Sequence, residues 1–525
     1  MEKRDKKRRL EYSIEKFGKI LTTHKIEKPV EDSQLSDIQS ILEDARVFIK
    51  KIFFNDEYVQ KGNAMKIIQV DLPEIGDDTI PPEVTIEEIN NRLKRLHNMM
   101  QEKKYSHVVI YGDKEHFANL YYMTGGYDSR FEETLLIISR EDIPRLIVGN
   151  EGLFYSNIAK LNHKKELFQT FSLQGMTRDK KVLLRNILKK CGLSQTSQVG
   201  IIGLKYYEED EVEDPIHTYD IPHYIVKEIE KVVRPEQLQN ATDLMIHPDY
   251  GLRSVLTHHE IARYECNCNY LSNQVRMILR SISVGMRETD ILSHFNFKGI
   301  PFIVHPSVGF GTERVLMGLT SPSGNVVLRK GDPVNIGFAI EGASVARTGF
   351  AVSSRSELNE VSKTIVEDFY FPYYKAMKAW YELINVGVQS KQVYSAVLNI
   401  LNSDKFGVSL NPGHTIHIEE WINSPFRTDR NHKLRSGMAF QCDIIAFPGL
   451  PFVGVHVEDT VAIADEKLKS SLRIDYPDTY SRIIKRQKMM RDILGISIGE
   501  DVLPFSNIQA VFNPFLLNSQ YAITA

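Results

Sequence analysis

The chain has 525 residues, of which 42% are hydrophobic and 25% are charged, with 21 prolines. This composition is typical of a folded globular protein with at least two domains and excludes a fibrous or disordered chain. Lys and Arg (65) nearly balance Asp and Glu (68), so no overall charge favours nucleic acid or an anionic membrane. We therefore expect neither as a partner.

The first 84 residues predict a helical extension followed by a linker. Apolar positions recur between basic clusters up to about residue 60, at the spacing of amphipathic helices. Prolines and acidic turn residues then mark a linker over 71–84. The basic amino terminus precedes no apolar stretch and is not a secretory signal. With only four cysteines, which do not suggest a disulfide framework, the chain is expected to be cytoplasmic.

Residues 85–235 predict an α/β domain. Thr85 is the expected N-cap of a helix, and Glu88 stands three residues later, as in a capping box. Short apolar runs rich in β-branched residues then alternate with helical segments; these runs are SHVVIYG, ETLLIIS, PRLIVGN and SQVGIIGL. Such alternation is typical of a sheet covered by helices.

Residues 236–490 predict a second domain in which long helices precede strands, giving an α+β chain overall. A basic segment near its end, YSRIIKRQKMMRDIL, alternates apolar and basic positions. This pattern predicts a helix with an outer, solvated face. The remaining residues, 491–525, are assigned as a C-terminal tail.

Motifs in both halves of the chain resemble those of one known family. The segment YGDKEHFANLYYMTGGYDSRFEE is similar to the amino-terminal domain of aminopeptidase-P-like proteins, and the catalytic-domain motifs of the same family correspond in order and spacing to GDPVNIGFAIEG, NPGHTIH, LRSGMAFQCDIIA and VEDTVAI. The family is creatinase/aminopeptidase P, or peptidase family M24. The resemblance covers about residues 90–490 and implies an α/β creatinase-like N-terminal domain followed by a pita-bread domain. A fold hosts many functions, so activity depends on the site residues.

In metal-dependent members of this family, two aspartates, one histidine and two glutamates hold two divalent ions. The first aspartate corresponds here to Gly337, and the second to Ser344 or Val345. The other three positions keep ligand chemistry and correspond to His414, Asp443 and Glu458.

The losses argue against a two-ion centre. Two dications about 4 Å apart repel one another and need bridging carboxylates. We therefore expect no dinuclear metal site and no required cofactor, with a single ion on His414, Asp443 and Glu458 as the alternative. The family's proton-shuttling histidine should fall near 316–318, where none occurs, and its second substrate-contacting histidine corresponds to Trp421.

Polar residues are densest between His414 and Trp421. In an extended segment, His414 and Glu420 would share one face while His417 and Glu419 share the other. We favour the first pair as the site and the second as a surface pair. The alternative is that His414 and Glu420 are satisfied polar groups beside a strand.

Other candidates surround this cluster. His305 is a candidate replacement for the missing proton shuttle, or a hydrogen-bonded loop residue. Arg314 either pairs with Glu313 or binds a substrate carboxylate, since its planar guanidinium suits that task. Arg347, in an Arg-Thr dipeptide that the family shares, is expected to hold the carboxylates of the pocket, and Trp421 to contact substrate.

The resemblance also implies a homodimer. In family dimers, the turn that corresponds to Tyr127 and Arg130 reaches into the pocket of the partner. These two residues are therefore expected to contact substrate across the interface.

Together these features predict a hydrolase that cleaves a C–N bond in a small amide, amidine or short peptide. Glu420 or Asp443 would act as base, His414 as acid or metal ligand, and Arg347 or Arg130 as an anion clamp. One alternative is a catalytically inactive module that binds peptide or protein, which the basic extension favours. The other is a metal-dependent Xaa-Pro aminopeptidase, which needs carboxylates from outside the motifs.

Overall fold

The computed structural model describes residues 65–76 and 80–525. The helices predicted up to about residue 60 lie outside these residues, while residues 65–525 cluster as one unit. The described residues before position 85 form a short strand, β1 (Lys66–Gln69), and no helix. No helix of the described part combines the length and the apolar character that crossing a bilayer requires.

The first layer confirms the α/β prediction. Its strands are β2 (His107–Gly112), β3 (Thr134–Ser139), β4 (Arg145–Val148), β5 (Lys164–Leu167), β6 (Val199–Ile202) and β7 (Leu238–Asn240). Its helices are α1 (Ile86–Glu102), α2 (Phe117–Thr124), α3 (Gly152–Tyr155), α4 (Leu184–Lys190), α5 (His223–Glu230) and α6 (Asp243–Ile246). The strands form one mixed sheet in the order β5-β4-β3-β2-β6-β7. Most positions of β2, β3 and β4 are buried because helices cover both faces.

Helix α1 begins as the sequence predicts, with one difference. The Thr85 side chain accepts a hydrogen bond from the backbone N–H of Glu88 at 3.1 Å. The Glu88 carboxylate turns instead towards Arg92 and accepts a hydrogen bond from the Thr257 hydroxyl. Thr257 in turn forms a complete capping box with Glu260. The start of α1 is thereby tied to the second layer.

The second layer has the predicted helices and strands. Its helices are α7 (His258–Ser281), α8 (Glu288–Leu292), α9 (Thr312–Met317), α10 (Phe371–Leu383), α11 (Ser390–Ile400), α12 (Ser403–Phe406), α13 (Glu466–Asp475) and α14 (Pro477–Asp492). Its strands are β8 (Phe302–Phe310), β9 (Pro333–Ile340), β10 (Ala343–Phe350), β11 (His414–Thr415), β12 (Ala439–Gln441), β13 (Ile445–Gly449), β14 (Val453–His456), β15 (Glu458–Ile463) and β16 (Val502–Pro504). An antiparallel sheet runs β11-β12-β15-β10-β9-β8, with β16 beside β15.

The segment after residue 491 is part of the core rather than an appended tail. Strand β16 pairs with β15, and a last strand, β17 (Tyr521–Thr524), pairs antiparallel with β1. Ala522 and Ile523 are fully buried. The last strand, β17, therefore packs against the first described strand, β1.

Helix α14 also differs from its prediction. Arg482 and Arg486 are buried and face inward, not outward. Arg482 Nε donates to the buried carboxylate of Glu265 at 2.9 Å, and Arg486 Nη1 donates to the same group. These two basic positions are explained by this internal carboxylate, which α7 contributes and which the local sequence does not reveal. Lys485 and Lys488 are exposed, as the prediction of a solvated face requires.

Candidate active site

Two antiparallel strands form the floor of the site. Gly337 of β9 stands opposite Ala346 of β10, and Ser344 stands opposite Ala339. On the other side of β10, Ala346 pairs with Glu458 of β15. This register places Glu458 next to the two positions at which the sequence lacks carboxylates.

Further side chains converge on Glu458 from neighbouring strands. His414 of β11 lies with its Nε2 atom 3.8 Å from Glu458 Oε1 and 3.5 Å from Asp443 Oδ2, just beyond β12. His456, the last residue of β14, places Nε2 2.8 Å from Asp443 Oδ1 and 3.4 Å from Glu458 Oε2. Two imidazoles and two carboxylates thus lie within a few ångströms.

Glu420 completes the cluster through Ser344. The Ser344 hydroxyl donates to Glu420 Oε1 at 2.9 Å and lies 3.2 Å from Glu458 Oε2. All five ionisable residues are at least nine-tenths buried: their exposed fractions are 3% for Glu458, 6% for Glu420, 7% for Asp443, 8% for His456 and 9% for His414. Such burial is unusual for ionisable side chains unless they are paired or bind metal.

Charge crowding shifts the pKa values in the cluster. Burial and the negative charge of Glu458 raise the pKa of Glu420 to about 8. Burial lowers the pKa values of the two histidines, but the nearby carboxylates outweigh it and raise them to about 9 for His414 and about 10 for His456. Burial would raise the pKa of Asp443, but His456 and His414 hold it well below its usual range. Three buried carboxylates lie close together, and their negative charge favours the protonated forms of Glu420, His414 and His456.

A small cavity opens beside the cluster. Its volume is about 30 Å³, close to that of one water molecule. Six of its lining residues are His305, Gly337, Ser344, Glu420, His456 and Glu458. His305 is exposed at this cavity, with Nε2 2.9 Å from the carbonyl oxygen of Leu319. A space for about one water molecule therefore lies beside Glu420, His456 and Glu458.

The model of metallopeptidase family M24 matches residues 264–465, which include every residue of this cluster. The chain carries an M24 domain. Solved structures share its fold at low sequence identity. Prolidase from Pyrococcus horikoshii is 18% identical, covers 71% of this chain and 96% of its own, and has a TM-score of 0.55.

Other structures with this fold include a dipeptidase and an aminopeptidase. Dipeptidase PepE from Mycobacterium ulcerans is 16% identical, covering 73% of this chain and 95% of its own, with a TM-score of 0.56. A variant of Escherichia coli aminopeptidase P is 15% identical, covering 77% and 100%, with a TM-score of 0.51. A search of curated protein sequences finds no significant match. The predicted pita-bread fold is confirmed.

The M24 domain lacks both aspartates at the positions where the sequence comparison places them. Ser344, rather than the buried apolar Val345, is the residue that faces the cluster. A Cβ atom at Gly337 would lie 3.5 Å from the Cβ of Ala346 and 3.8 Å from that of Ser307, which is ordinary contact distance. A Cβ atom therefore fits at Gly337, but the carboxylate of the family is missing there.

The structure adds His456, which the sequence analysis overlooked. His456 precedes Glu458 by two residues, and alternate residues of an extended chain lie on the same side. That spacing in Val-His-Val-Glu was a usable signal.

Arg347 lies under the cluster rather than in the cavity. Its Nη2 donates to both carboxylate oxygens of Asp459, at 2.9 and 2.8 Å, and its Nη1 donates to the carbonyl oxygen of Glu458 at 2.8 Å. With 1% of its surface exposed, Arg347 has no free face for a substrate anion. Arg347 holds β15, and therefore Glu458, in place. The expectation that Arg347 binds a substrate anion is wrong, because its guanidinium is used inside the protein.

Three other sequence candidates lie away from the cavity. Arg314 donates to Glu288 Oε1 at 2.6 Å instead of pairing with Glu313. Trp421 is 51% exposed and does not line the cavity. Tyr127 is fully buried in the first layer, with its hydroxyl 3.1 Å from that of Thr134, so its side chain is not available to a partner's pocket.

Arg130 has local partners as well. Its guanidinium forms hydrogen bonds with the Asp128 carboxylate and lies 4.5 Å from the centre of the Phe117 ring. A quarter of its side chain remains exposed, 27%. The expected contact of Arg130 with a partner subunit stays a prediction.

The surface pair expected at His417 and Glu419 is wrong. Strand β11 ends at Thr415, and the bend that follows turns His417 into the interior. His417 Nδ1 lies 2.8 Å from the hydroxyl of Tyr264, and Nε2 lies 3.4 Å from Glu260 Oε1. Glu419 forms an ion pair with the buried Arg253. The segment that carries Glu420 is therefore fixed by contacts with Tyr264 and Glu260 of α7 and with Arg253.

Proposed function

We propose that this chain is a hydrolase of a C–N bond in a short peptide or a small amide or amidine. The observation that carries the proposal is a buried cluster of three carboxylates and two imidazoles inside an M24 domain. Glu420, Glu458 and His456 of this cluster line a cavity. The structures that share the fold include a prolidase, a dipeptidase and an aminopeptidase. Compounds with a peptide-like bond are the substrate class that fits both the cluster and the shared fold.

The groups that face the cavity suit hydrolysis. Glu420 and Glu458 line it from one side and are placed to hold an attacking water and accept its proton. His456 lines the same space and is placed to donate a hydrogen bond to the oxygen that gains negative charge. His305 reaches the cavity from β8, where a substrate approaching from solvent would meet it.

The family's two-ion chemistry does not fit these residues. A two-ion centre needs carboxylates on both floor strands, and Gly337 and Ser344 supply none. We therefore derive no step through such a centre. We propose that the reaction uses the cluster without a dinuclear site.

The cavity limits what can react. A volume of about 30 Å³ has room for about one water molecule. Residues on either side of the scissile bond must remain near the opening at His305.

A substrate screen tests the proposal. Purified protein is assayed with dipeptides, amidines and cyclic amides, with and without added Mn²⁺ or Zn²⁺. A Glu458→Gln variant is expected to lose at least 100-fold in kcat/KM, because one essential proton-handling group is removed. The matched control is Glu313→Gln, an exposed carboxylate outside the cluster, which should retain wild-type turnover. Equal rates in both variants would refute the assignment of the site.

A second candidate function is a catalytically inactive binding module. The small cavity and the loss of the family's aspartates and histidines favour it. His414→Ala distinguishes the two functions. If wild type has no turnover and the variant binds peptides with unchanged affinity, the chain is a binder.

We also propose that the protein acts in the cytoplasm as a homodimer, with a small molecule or short peptide as its ligand and without nucleic acid or membrane. The balanced charge supports the exclusion of nucleic acid and anionic membrane, and the four buried cysteines, which form no disulfide, support the cytoplasmic location. The dimer is proposed from the resemblance of the sequence to the family. Light scattering coupled to gel filtration tests the assembly. A mass of 60.2 kDa, that of one chain, would refute the dimer.

A further inference from the structure

Two facing atoms of the cluster have no hydrogen-bond partner. His414 Nε2 and Glu458 Oε1 are both buried and unsatisfied, which costs free energy unless another group completes them. They lie 3.8 Å apart, beyond hydrogen-bond length. Ligand atoms at about 2.1 Å from one tetrahedral ion are separated by about 3.4 Å. The spacing thus resembles that of two ligands of a shared ion.

Glu420 supplies the third donor. Ligand atoms of His414, Glu420 and Glu458 all lie within 4.8 Å of one another. Each residue is at least nine-tenths buried, and Ser344 orients Glu420 by its hydrogen bond. One imidazole and two carboxylates form the N,O,O donor set that divalent transition metals accept.

We infer that His414, Glu420 and Glu458 bind one divalent transition-metal ion, with Glu420 in place of the aspartate that Ser344 has replaced. The inference rests on the proposed function, in which the same cluster surrounds the reacting bond. Two carboxylates neutralise the two charges of such an ion, which makes its burial tolerable. A bound ion would lower the pKa of a water molecule on it.

Asp443 and His456 argue for one ion rather than two. Asp443, His456 and Glu458 also form a possible set of metal ligands. Asp443 Oδ1 and His456 Nε2 have no hydrogen-bond partner. However, those atoms contact each other at 2.8 Å as an ion pair. Four charges of two ions would face only three carboxylates. The geometry therefore assigns the ion to the group that contains Glu420.

Metal binding is measured on the full-length protein after chelator treatment and dialysis. Zn²⁺ and Co²⁺ are added, and the metal content per chain, the affinity by calorimetry and the visible spectrum of bound Co²⁺ are recorded. Wild type should bind one ion per chain. Glu420→Gln should weaken binding by more than 100-fold, whereas His456→Gln should keep one ion with about a tenfold loss, as for a residue that supports a ligand. Glu313→Gln should bind as wild type does.

The outcomes separate the inference from the proposed function. No ion in wild type, or wild-type affinity in Glu420→Gln, would overturn the site, provided that circular dichroism shows the variant folded. Two ions per chain, or equal losses in Glu420→Gln and His456→Gln, would overturn the single-ion assignment. A bound ion without turnover of any substrate would leave the metal site intact and refute the hydrolase. Turnover by protein that binds no ion would support the hydrolase and refute the metal site.

Discussion

Ser344 donates a hydrogen bond to Glu420 across 2.9 Å, between strand β10 and the bend that follows β11. These residues are 76 positions apart in the chain, so no local pattern connects them. The Ser344 hydroxyl stands where the sequence comparison places a family aspartate, and the Glu420 carboxylate from another segment lies beside it. The acidic character of the site is thereby partly kept although both aspartates are lost.

Restoring the two aspartates should restore a second ion. The double variant Gly337→Asp/Ser344→Asp adds two carboxylates beside three, and a Cβ atom at Gly337 has ordinary contacts. Without metal, the added repulsion should lower the melting temperature. With Mn²⁺ or Zn²⁺ the melting temperature should recover, and metal analysis should find two ions per chain.

The matched control for that variant is Gly337→Asn/Ser344→Asn, which has the same size without the charge. It should show neither the loss of stability in chelator nor the second ion. A second ion in the asparagine variant would mean that charge balance does not limit metal content here.

Removing Arg347 should destabilise the fold more than it alters any substrate contact. Arg347→Met leaves the Asp459 carboxylate, which is fully buried, without its bidentate partner, at a cost of roughly 3 to 5 kcal/mol. Urea denaturation followed by circular dichroism measures this. The double variant Arg347→Met/Asp459→Asn should recover part of the loss because the uncompensated charge is gone. No recovery would show that the lost hydrogen bonds to backbone carbonyls dominate.

The sequence was sufficient for the fold because its signals are local. The runs at β2, β3, β4 and β6 are short and β-branched, and the Thr85 cap precedes an amphipathic helix. Motif order then indicated the second layer, and it brought His414, Asp443 and Glu458 together as candidates. Each of these inferences needed only neighbours in the chain or the spacing between motifs.

The sequence failed where long-range partners decide the outcome. Arg482 and Arg486 appeared to be a solvated face because Glu265, more than 200 residues earlier, is visible only in three dimensions. His417 appeared to be exposed because the bend after β11 and the partners Tyr264 and Glu260 were not predictable. Buried charge is the common feature, since a charged residue in the sequence does not show whether it has a partner.

The carboxyl-terminal strand should be essential for stability. Ile523 is fully buried where β17 pairs with β1, opposite Ile67. Ile523→Ala should cost roughly 2 to 5 kcal/mol through lost burial and the cavity left behind, seen as a lower urea midpoint. Ile474→Ala, at a position that is 76% exposed, is the control and should change little. Equal midpoints for both variants would mean that the last strand detaches at no cost.

His116 should make stability depend on pH in the alkaline range. Its Nδ1 lies 2.8 Å from Asp113 Oδ1, and its Nε2 lies 3.6 Å from Asp220 Oδ2. Burial lowers the pKa of His116, but the two carboxylates outweigh it and raise the pKa to about 10. Because the folded state holds this proton more tightly than the unfolded chain, whose histidine pKa is about 6.5, the stabilisation is complete below pH 6.5. It is lost as pH rises through 10.

Unfolding free energies of wild type and His116→Gln, measured by urea denaturation from pH 6 to pH 10, test this. The difference between them should be largest, roughly 1 to 3 kcal/mol, near pH 6 and should shrink towards pH 10. His258→Gln is the matched control, because His258 contacts Asp475 at 2.8 Å on the surface and solvent screens such a pair. Its difference from wild type should stay small across the range. A difference for His116→Gln that does not change with pH would show that the imidazole acts through packing alone, without a proton shared with Asp113 and Asp220.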